Sequence, residues 1–322
     1  MRNFIFLLLI GLASLPMQAQ DLIMVYSVEG KVRYLADDKP ETKAKKVIPG
    51  MKLSEGGTII IKEDGKVGIY FDELMGTLAK NGRHPVSSIL DAEDLLEETD
   101  LAAIFGERLE KAAHPYYATI KTNRAGYVSS TTTTQTVSKP GSSKPPKEGH
   151  GDKKFRITPI SPAGGKVSGD TMFFRWKLQD SVKVSSKLVV NIRDASKEVI
   201  AQVPAKKLAR QVPVQRLKLK EGNNYDWFVN DTSDDQVRSA PVSFQYVSSQ
   251  EVLKINEQLN NTLAYTSSSP SAQMLMKATM LEQKGYLMDA VLLLRNVTKA
   301  DKKNKLAKRL LNSFYLDYYI IE

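Results

Sequence analysis

Apolar and polar positions alternate with a period of two near the start of the chain, which is the pattern of half-buried β-strands. The stretch LIMVYSVEGKVRYL, residues 22–35, places Val25 on one face of a strand and Tyr26 on the other. The later stretches GTIIIK and KVGIYF are rich in β-branched and aromatic residues, as strands are. The pattern therefore predicts a β-rich first unit over residues 20–128.

The pair Asp64-Gly65 lies between those two later stretches. Because Asp-Gly supplies the positive φ angles of tight turns, the pair predicts a β-hairpin. The alternative is a phosphate-binding loop, which needs a glycine five residues before its Gly-Lys pair and a hydroxyl residue after it. Here Ile60 and Val67 occupy those two positions. We therefore expect the glycines to serve backbone geometry.

A helical period of about 3.6 residues replaces the alternation between Ser88 and Ala113. We expect one or two helices that cap the β-rich unit or project from it. Six acidic residues cluster there, with a calcium site and a solvated helix face as the alternatives. Since a calcium loop needs oxygen ligands that alternate around a glycine, the pattern favours the solvated face. The six are Asp91, Glu93, Asp94, Glu97, Glu98 and Asp100.

The first unit resembles the FecR-like domain. Its segments VEGKVRYL and VIPGMKLSEGGTIIIKEDGKVGIYF are similar to that family's V-x-G-x-V strand and G-x-x-L-x-x-G-D-x-I segment, with Gly57 in place of the usual aspartate. The resemblance implies a β domain of the bacterial envelope. Proteins of that family relay an outer-membrane signal to a sigma factor through a cytoplasmic segment and a membrane span, and this sequence predicts neither. The matching positions are Gly30, Val32, Gly50, Leu53, Gly56, Ile59, Val67 and Ile69.

Short alternating stretches resume further on and predict a β-sandwich over residues 155–247. Phe174 and Trp176 share one face of TMFFRWKL, and Tyr225 and Trp227 share one face of NNYDWFVNDT. The order of an F-x-W strand, an L-x-x-G-x-x-Y-x-W segment and a last strand with phenylalanine resembles bacterial immunoglobulin-like or fibronectin-like modules. That resemblance implies an immunoglobulin-like sandwich, a fold that serves many functions.

Two features of the predicted sandwich have alternatives. Trp176 and Trp227 could stack on sugars, but their strand periodicity favours the core. The loop NDTSDDQ, residues 230–236, could bind calcium through its aspartates, but it lies where a hairpin turn is expected, and these residues are common in turns. We expect core tryptophans and a turn.

Helical spacing predicts a helical tail over residues 248–322. A second helix opens at Pro270 and ends at Gly285, and a third covers KNKLAKRLLNSFYLDYYII. The apolar stripe of the first helix consists of Val252, Ile255, Leu259 and Leu263.

The spacing of Ala278, Gly285, Ala290 and Leu294 resembles that of a degenerate tetratricopeptide helix pair. The resemblance implies two antiparallel helices in close approach. Since a solenoid needs about three repeats, we expect this tail to pack on the sandwich or on a partner. The aromatic end of the third helix is the candidate interaction surface, although internal packing of these residues is the favoured alternative. Its residues are Phe314, Tyr315, Tyr318 and Tyr319.

Residues 129–154, SSTTTTQTVSKPGSSKPPKEGHGDKK, lack aromatic residues and nearly all large apolar ones. Such a segment cannot bury enough surface to offset its ordering entropy, which predicts a disordered linker. The 322-residue chain has a net charge of +10; acidic residues exceed basic ones over 20–137, and basic ones are in excess from 138 onward. We favour solubility as the reason for this excess; the alternative is binding to lipid head groups, anionic polysaccharide or an acidic protein. We expect no nucleic-acid partner.

The amino end predicts export. Arg2, the apolar run FIFLLLIGLASL and the small residue Ala19 form the pattern of a signal peptide cleaved after residues 1–19. The run is shorter than the about 20 residues that span a bilayer, and no later segment is as apolar. The chain has no cysteine, so neither disulfides nor a lipoprotein's lipid-bearing cysteine are expected. We expect a periplasmic or otherwise exported protein whose mature chain has no transmembrane segment.

Catalytic motifs are missing from the sequence. It contains no cysteine nucleophile, no G-x-S-x-G and no H-E-x-x-H. His84 and His114 each precede proline in expected turns, and His150 lies in the linker. We therefore expect no enzyme, no cofactor and no metal. The sequence favours a noncatalytic envelope adaptor or scaffold that mediates protein–protein interaction; glycan or peptidoglycan binding and FecR-type signalling through a membrane partner are the alternatives.

Overall fold

The computed structural model describes residues 22–37, 39–92, 95–114, 157–162, 164–178, 187–205 and 208–318. In these ranges the chain is mixed and β-rich, with three sheets and a helical C-terminal region. None of the helices in these ranges is long and apolar enough to cross a membrane. The predicted signal peptide, the predicted linker and Tyr319 lie outside the described residues.

The first unit, residues 22–114, contains a six-stranded antiparallel sheet in the order β2-β1-β3-β4-β6, with β5 paired to β3. Helix α1 covers Val86–Leu90 and helix α2 covers Asp100–Ala113. Thr99 caps α2, because its hydroxyl oxygen accepts a hydrogen bond from a free amide of the first turn. The strands are β1 Met24–Leu35, β2 Lys45–Lys46, β3 Thr58–Phe71, β4 Leu74–Leu78, β5 Gly82–Pro85 and β6 Leu96–Glu98. The helical period predicted from Ser88 to Ala113 is thus divided by a strand.

The predicted hairpin at Asp64-Gly65 is wrong. Strand β3 continues through this pair beside β1, with residue 62 opposite residue 31 and residue 66 opposite residue 29. Residues 63–65 therefore lie opposite Gly30 alone, and the extra residues form a bulge. Gly30 has a φ of +64°, and a Cβ there would lie 2.9 Å from the Cα of Gly65. The two glycines allow the backbones to approach, and the chain does not reverse.

The hairpin of this sheet lies at Asp72 and Glu73 instead. Their φ angles are 45° and 63°, and Phe71 pairs with Leu74 on either side of them. Positive φ at both central residues is what a two-residue type I′ turn requires. Neither residue is glycine or asparagine, so the usual sequence signal is weak here.

The middle unit, residues 157–247, consists of two sheets around one core. One sheet has the order β12-β9-β7, and the other has the order β11-β10-β13-β15-β8, with β14 paired to β13. Trp176 and Trp227 enter the core from opposite sheets and are fully buried, which confirms the core interpretation. The strands are β7 Ile157–Ser161, β8 Lys166–Val167, β9 Thr171–Leu178, β10 Leu188–Arg193, β11 Val199–Ala205, β12 Ala209–Pro213, β13 Asn224–Asp231, β14 Asp234–Arg238 and β15 Val242–Tyr246.

The helical tail, described over residues 248–318, has five helices in that range. Helix α5 opens at Pro270, and Gly285 follows it with a φ of +86°, as predicted. The predicted stripe of the first helix is wrong at Leu263, because α3 ends at Asn260 and the side chain of Leu263 is 67% exposed. The helices are α3 Ser249–Asn260, α4 Leu263–Thr266, α5 Pro270–Gln283, α6 Leu287–Ala300 and α7 Lys305–Tyr318.

The helical tail shares its core with the first unit. We expected the tail to pack on the sandwich or on a partner, but its main contact is the face of the first sheet that carries Tyr26 and Tyr70, together with helix α2. The opposite face, which carries Val25, has a core of its own. The first unit and the tail therefore form one folded part, which we call the composite body. Its shared core includes Met24, Tyr26, Tyr70, Met75, Phe105, Leu109, Leu275, Met276, Ala278, Ala290 and Phe314.

Polar contacts cross the same boundary. The hydroxyl of Ser27 donates to that of Ser269 at 3.0 Å, and the hydroxyl of Ser267 donates to that of Thr77 at 3.0 Å. The carboxylate of Glu97 accepts a hydrogen bond of 2.6 Å from the amide of Ala264. Buried polar groups are stable only when they are paired, so these bonds fix the position of the tail on the sheet.

An ion network joins α2 to two tail helices. Arg108 donates to Glu282 on α5 at 2.8 Å and to Asp317 on α7 at 2.7 Å, and Lys111 also contacts Asp317. Arg108 is 11% exposed and Glu282 is 7% exposed. Because each buried charge has its partner on another helix, the network holds the three helices in one arrangement.

Candidate functional site

A cleft of about 190 Å³ lies where the middle unit meets the helical tail. We call it the junction cleft. One wall is the outer face of β9 and the loop before it, and the other wall is helix α6. The backbone amide of Lys166 donates to the carbonyl of Gly285 at 2.8 Å at one end. A Cβ on Gly165 would lie 2.3 Å from that carbonyl oxygen, so the two parts meet closely at this point.

The sheet wall presents an aromatic and a basic side chain. Since Met172, Phe174 and Trp176 point into the core, the alternation of β9 places Phe173 and Arg175 on the outer face. Phe173 is 52% exposed. Among the described residues, the guanidinium of Arg175 has no ion-pair partner.

The helical wall has a stripe at helical spacing. Met288, Leu292 and Arg295 are four and three residues apart, so they lie along one side of α6 and line the cleft. Leu292 is 47% exposed. The Nε of Arg295 donates to the hydroxyl of Tyr315 on α7 at 2.9 Å, which fixes the orientation of the guanidinium.

Lys166 connects the end of the cleft to the tail. Its ammonium donates to the carboxylate of Glu251 at 2.9 Å and lies 5.6 Å from the centre of the Tyr286 ring. The hydrogen bond from Lys166 lowers the pKa of Glu251, and burial raises the pKa of Tyr286, whose hydroxyl donates to the same carboxylate. These contacts hold the middle unit against the composite body.

Asp289 is the one acidic residue among the described residues that line the junction cleft. Burial raises the pKa of its carboxyl group, and the charge of Lys277 offsets part of that effect. Three basic side chains line the same space; Lys166 is paired with Glu251, so Arg175 and Arg295 supply the excess of positive charge over Asp289. The cleft therefore combines apolar walls with a positive excess.

The four aromatic residues named as candidates for an interaction surface or for internal packing occupy different environments. Phe314 is fully buried in the shared core. Tyr315 is partly buried and binds Arg295, and Tyr318 is 38% exposed with its ring centre 4.7 Å from that of Phe314. Tyr319 lies outside the described residues. Through Tyr315, this aromatic group supports a wall of the junction cleft.

No family model matches the chain, and no curated protein matches it. The resemblances to FecR-like, fibronectin-like and tetratricopeptide families therefore stay predictions.

A second cleft, of about 290 Å³, lies over the ion network between α2, α5 and α7. Arg108, Glu282 and Asp317 line it, and each already has an opposite charge beside it. Its charged groups hold helices together, so we assign this cleft a structural role.

A third cleft, of about 490 Å³, lies at one end of the middle unit and is mainly polar. Lys218, Lys220, Asn223 and Asn224 line it. Neither lysine ammonium has an ion-pair partner in the described part of the chain. Asp194 also lines it, but its carboxylate accepts hydrogen bonds from its own turn. The lysine ammonium groups and the asparagine amides can donate hydrogen bonds to a ligand that carries acceptor or anionic oxygens.

The turn predicted within residues 230–236 lies at residues 232 and 233, between β13 and β14. Asp231 accepts a hydrogen bond of 2.8 Å from the amide of Ser233, and Asp234 accepts one of 2.9 Å from the amide of Gln236. Within the described ranges, no group of three or more histidine, cysteine or acidic residues could hold a metal ion.

Sequence reasoning missed the junction cleft. The strand alternation that placed Trp176 in the core also places Phe173 and Arg175 outside, so the sheet wall was predictable. The opposite wall was not, because no local pattern shows that α6, more than a hundred residues later, lies beside this strand. Tyr315 was singled out for its aromatic character, and its contact with Arg295 became visible only in the fold.

Proposed function

We propose that this protein is a noncatalytic adaptor or scaffold of the bacterial envelope that acts through protein–protein interaction. The observation that carries the proposal is the junction cleft, where two folded parts of the chain present exposed apolar side chains, Phe173 and Leu292, to the same space. Covering such surface is favourable by about 25 cal/mol per Å². The signal-peptide pattern supports an exported, periplasmic location.

The finer family assignments are part of this proposal. Gly30 and Gly50, two glycines of the FecR-like pattern, have φ angles of +64° and +84°, which glycine adopts readily, and this supports the FecR-like assignment. The antiparallel order β10-β13-β15, facing a second sheet, supports an immunoglobulin-like or fibronectin-like middle unit.

The test is crosslinking of the full-length chain in intact cells of its source, followed by recovery through a tag. The adaptor proposal expects one dominant protein partner, absent when an unrelated exported protein carries the same tag. Recovery of wall material alone contradicts it. The full chain is needed because removing the tail would expose the shared core, and the exposed surface would bind proteins nonspecifically.

Glycan binding is a second candidate, and the third cleft is the observation that favours it. Lys218 and Lys220, with two asparagines, suit a saccharide that carries carboxylates. The test is cosedimentation with purified insoluble cell wall at low and high salt. This candidate expects retention that salt weakens and that the double change Lys218→Glu with Lys220→Glu abolishes. The control Lys177→Glu changes charge on β9, away from this cleft; equal loss in the control contradicts a specific site.

A further inference from the structure

We propose that the junction cleft binds a partner segment in which large apolar side chains are flanked by aspartate or glutamate. This inference rests on the proposed adaptor function and names the partner's chemistry. Three features carry it: the apolar walls, the positive excess and the size of the space.

The apolar walls provide places for side chains of the partner. Phe173 on β9 and Leu292 on α6 are both about half exposed and line the same cleft. Large apolar side chains that are exposed around one cleft are more informative than single exposed ones, because contiguous apolar surface marks interaction sites. Aromatic side chains at the centre of a contact also contribute most to binding.

The positive charge of the cleft favours acidic residues on either side of the apolar centre of the partner segment. Arg175 and Arg295 lie on opposite walls, and Lys166 lies at the end that is tied to Glu251. Arg175 has no ion-pair partner among the described residues, and its planar guanidinium suits a carboxylate. Asp289 is the single opposing charge among the described lining residues.

The volume favours side chains over a whole metabolite. At about 190 Å³ the cleft is smaller than the about 300–1,000 Å³ of common small-molecule sites. An extended segment needs only to insert one or two side chains there while its backbone stays outside.

The chain's own linker is a poor occupant. Residues 129–154 have more basic than acidic side chains, so they share the sign of the cleft. A second copy of the chain could offer the acidic residues of its first unit, and the test separates this outcome from a different partner.

The test places p-benzoylphenylalanine in the full-length chain at Phe173 or Leu292, and at the exposed Leu253 and Leu263 as comparison positions. After irradiation of intact cells, mass spectrometry identifies the crosslinked segment. We expect one protein segment at the two cleft positions, apolar at its centre and acidic at its flanks. We expect Arg175→Glu to reduce its yield at least tenfold. Lys177→Glu, on the same strand but outside the cleft, should leave the yield within twofold.

Other outcomes overturn the proposal and separate it from the adaptor function. A basic or uncharged segment, or a second copy of this chain, at the cleft positions contradicts the proposed chemistry. A partner crosslinked only at Leu253 or Leu263 contradicts binding at the junction cleft but is consistent with the adaptor function. No protein adduct at any position overturns both. Thermal unfolding of each variant, unchanged from the parent chain, excludes misfolding as the cause of a lost adduct.

Discussion

Ser27 and Ser269 are 242 residues apart in the sequence, and their hydroxyl groups share a hydrogen bond of 3.0 Å. The amide of Ser269 also donates to the hydroxyl of Ser27 at 3.1 Å. The bond lies beside the buried Tyr26, at the boundary between the first sheet and the tail. It marks the composite body, in which the two ends of the described chain complete one core and the middle unit is an insertion.

Deleting residues 248–322 should unfold the first unit. The deletion uncovers the sheet face that carries Tyr26 and Tyr70, and an apolar face of this kind is not stable in water. We expect aggregation and rapid hydrogen exchange of the β1 and β4 amides. The matched variant replaces residues 157–247 by a flexible linker and should keep these amides protected. Protection that survives the tail deletion contradicts the shared core.

Arg108→Met should destabilise the composite body by about 3–5 kcal/mol. It leaves the buried carboxylates of Glu282 and Asp317 without their main partner, and an uncompensated buried charge is costly. Urea unfolding measures the change. The control Lys31→Met breaks a pair whose members are 69% and 68% exposed, which is worth at most about 1 kcal/mol. Equal effects of the two changes would mean that the Arg108 network is not buried in solution.

Gly106→Ala should destabilise the protein although alanine is the better helix former. A Cβ at this position of α2 would lie 2.4 Å from the Tyr70 ring, and overpacking of this kind costs about 1–3 kcal/mol. Helix propensity alone would make the alanine variant more stable by about 1 kcal/mol. The reverse change Ala103→Gly, at an exposed position of the same helix, should cost that propensity difference. A stabilised Gly106→Ala variant would show that α2 stands further from Tyr70 than described.

The composite body should lose stability in alkali. Burial raises the pKa of Tyr26 to about 12, against about 10 in an unfolded chain. Since the folded pKa is the higher one, the stabilisation is fully present below pH 10 and is lost as the pH rises toward 12. Urea midpoints across that range, with phenolate absorbance, measure the effect. Tyr26→Phe should flatten the decline without abolishing it, because burial also raises the pKa of Tyr70 to about 12. An unchanged slope contradicts the assignment.

Tyr315→Phe should weaken capture at the junction cleft without loss of stability. The change removes the hydroxyl that accepts from Arg295 and leaves the ring in place. We expect a few-fold lower crosslinking yield from p-benzoylphenylalanine at Leu292, since the guanidinium loses its hydrogen bond to Tyr315. Tyr265→Phe, a change of the same kind elsewhere in the tail, serves as the control. Similar crosslinking yields from both variants would show that the Tyr315 hydroxyl does not support binding at the junction cleft.

Local patterns predicted the buried tryptophans of the middle unit and the bounds of one tail helix. Alternation alone placed Trp176 and Trp227 in a core, and Pro270 and Gly285 bound a helix as expected. These features depend on residues close together in the sequence, which is where periodicity carries information.

Long-range relationships escaped the same reasoning. The strand alternation assigned Val25 and Tyr26 to opposite faces, but it could not show that both faces are buried, since the cover of the second face comes from helices at the other end of the chain. Asp64-Gly65 predicted a turn because dipeptide preferences contain no information on the partner strand. In that strand, Gly30 leaves space for a bulge opposite this pair. Prediction of the junction cleft requires the local alternation of β9 and also the long-range contact of this strand with α6.

The shared core also sets the order in which the chain can fold. Contacts of the middle unit are confined to residues 157–247 for the most part, so it can close soon after synthesis. Strand β1 is made well before its partner helix α5, and contacts between such distant parts of a sequence form slowly. Until α7 has been synthesised, the middle unit can be folded while the composite body on either side of it in the sequence lacks part of its core. A chaperone that protects it has one surface to cover, the bare side of β1 and β4.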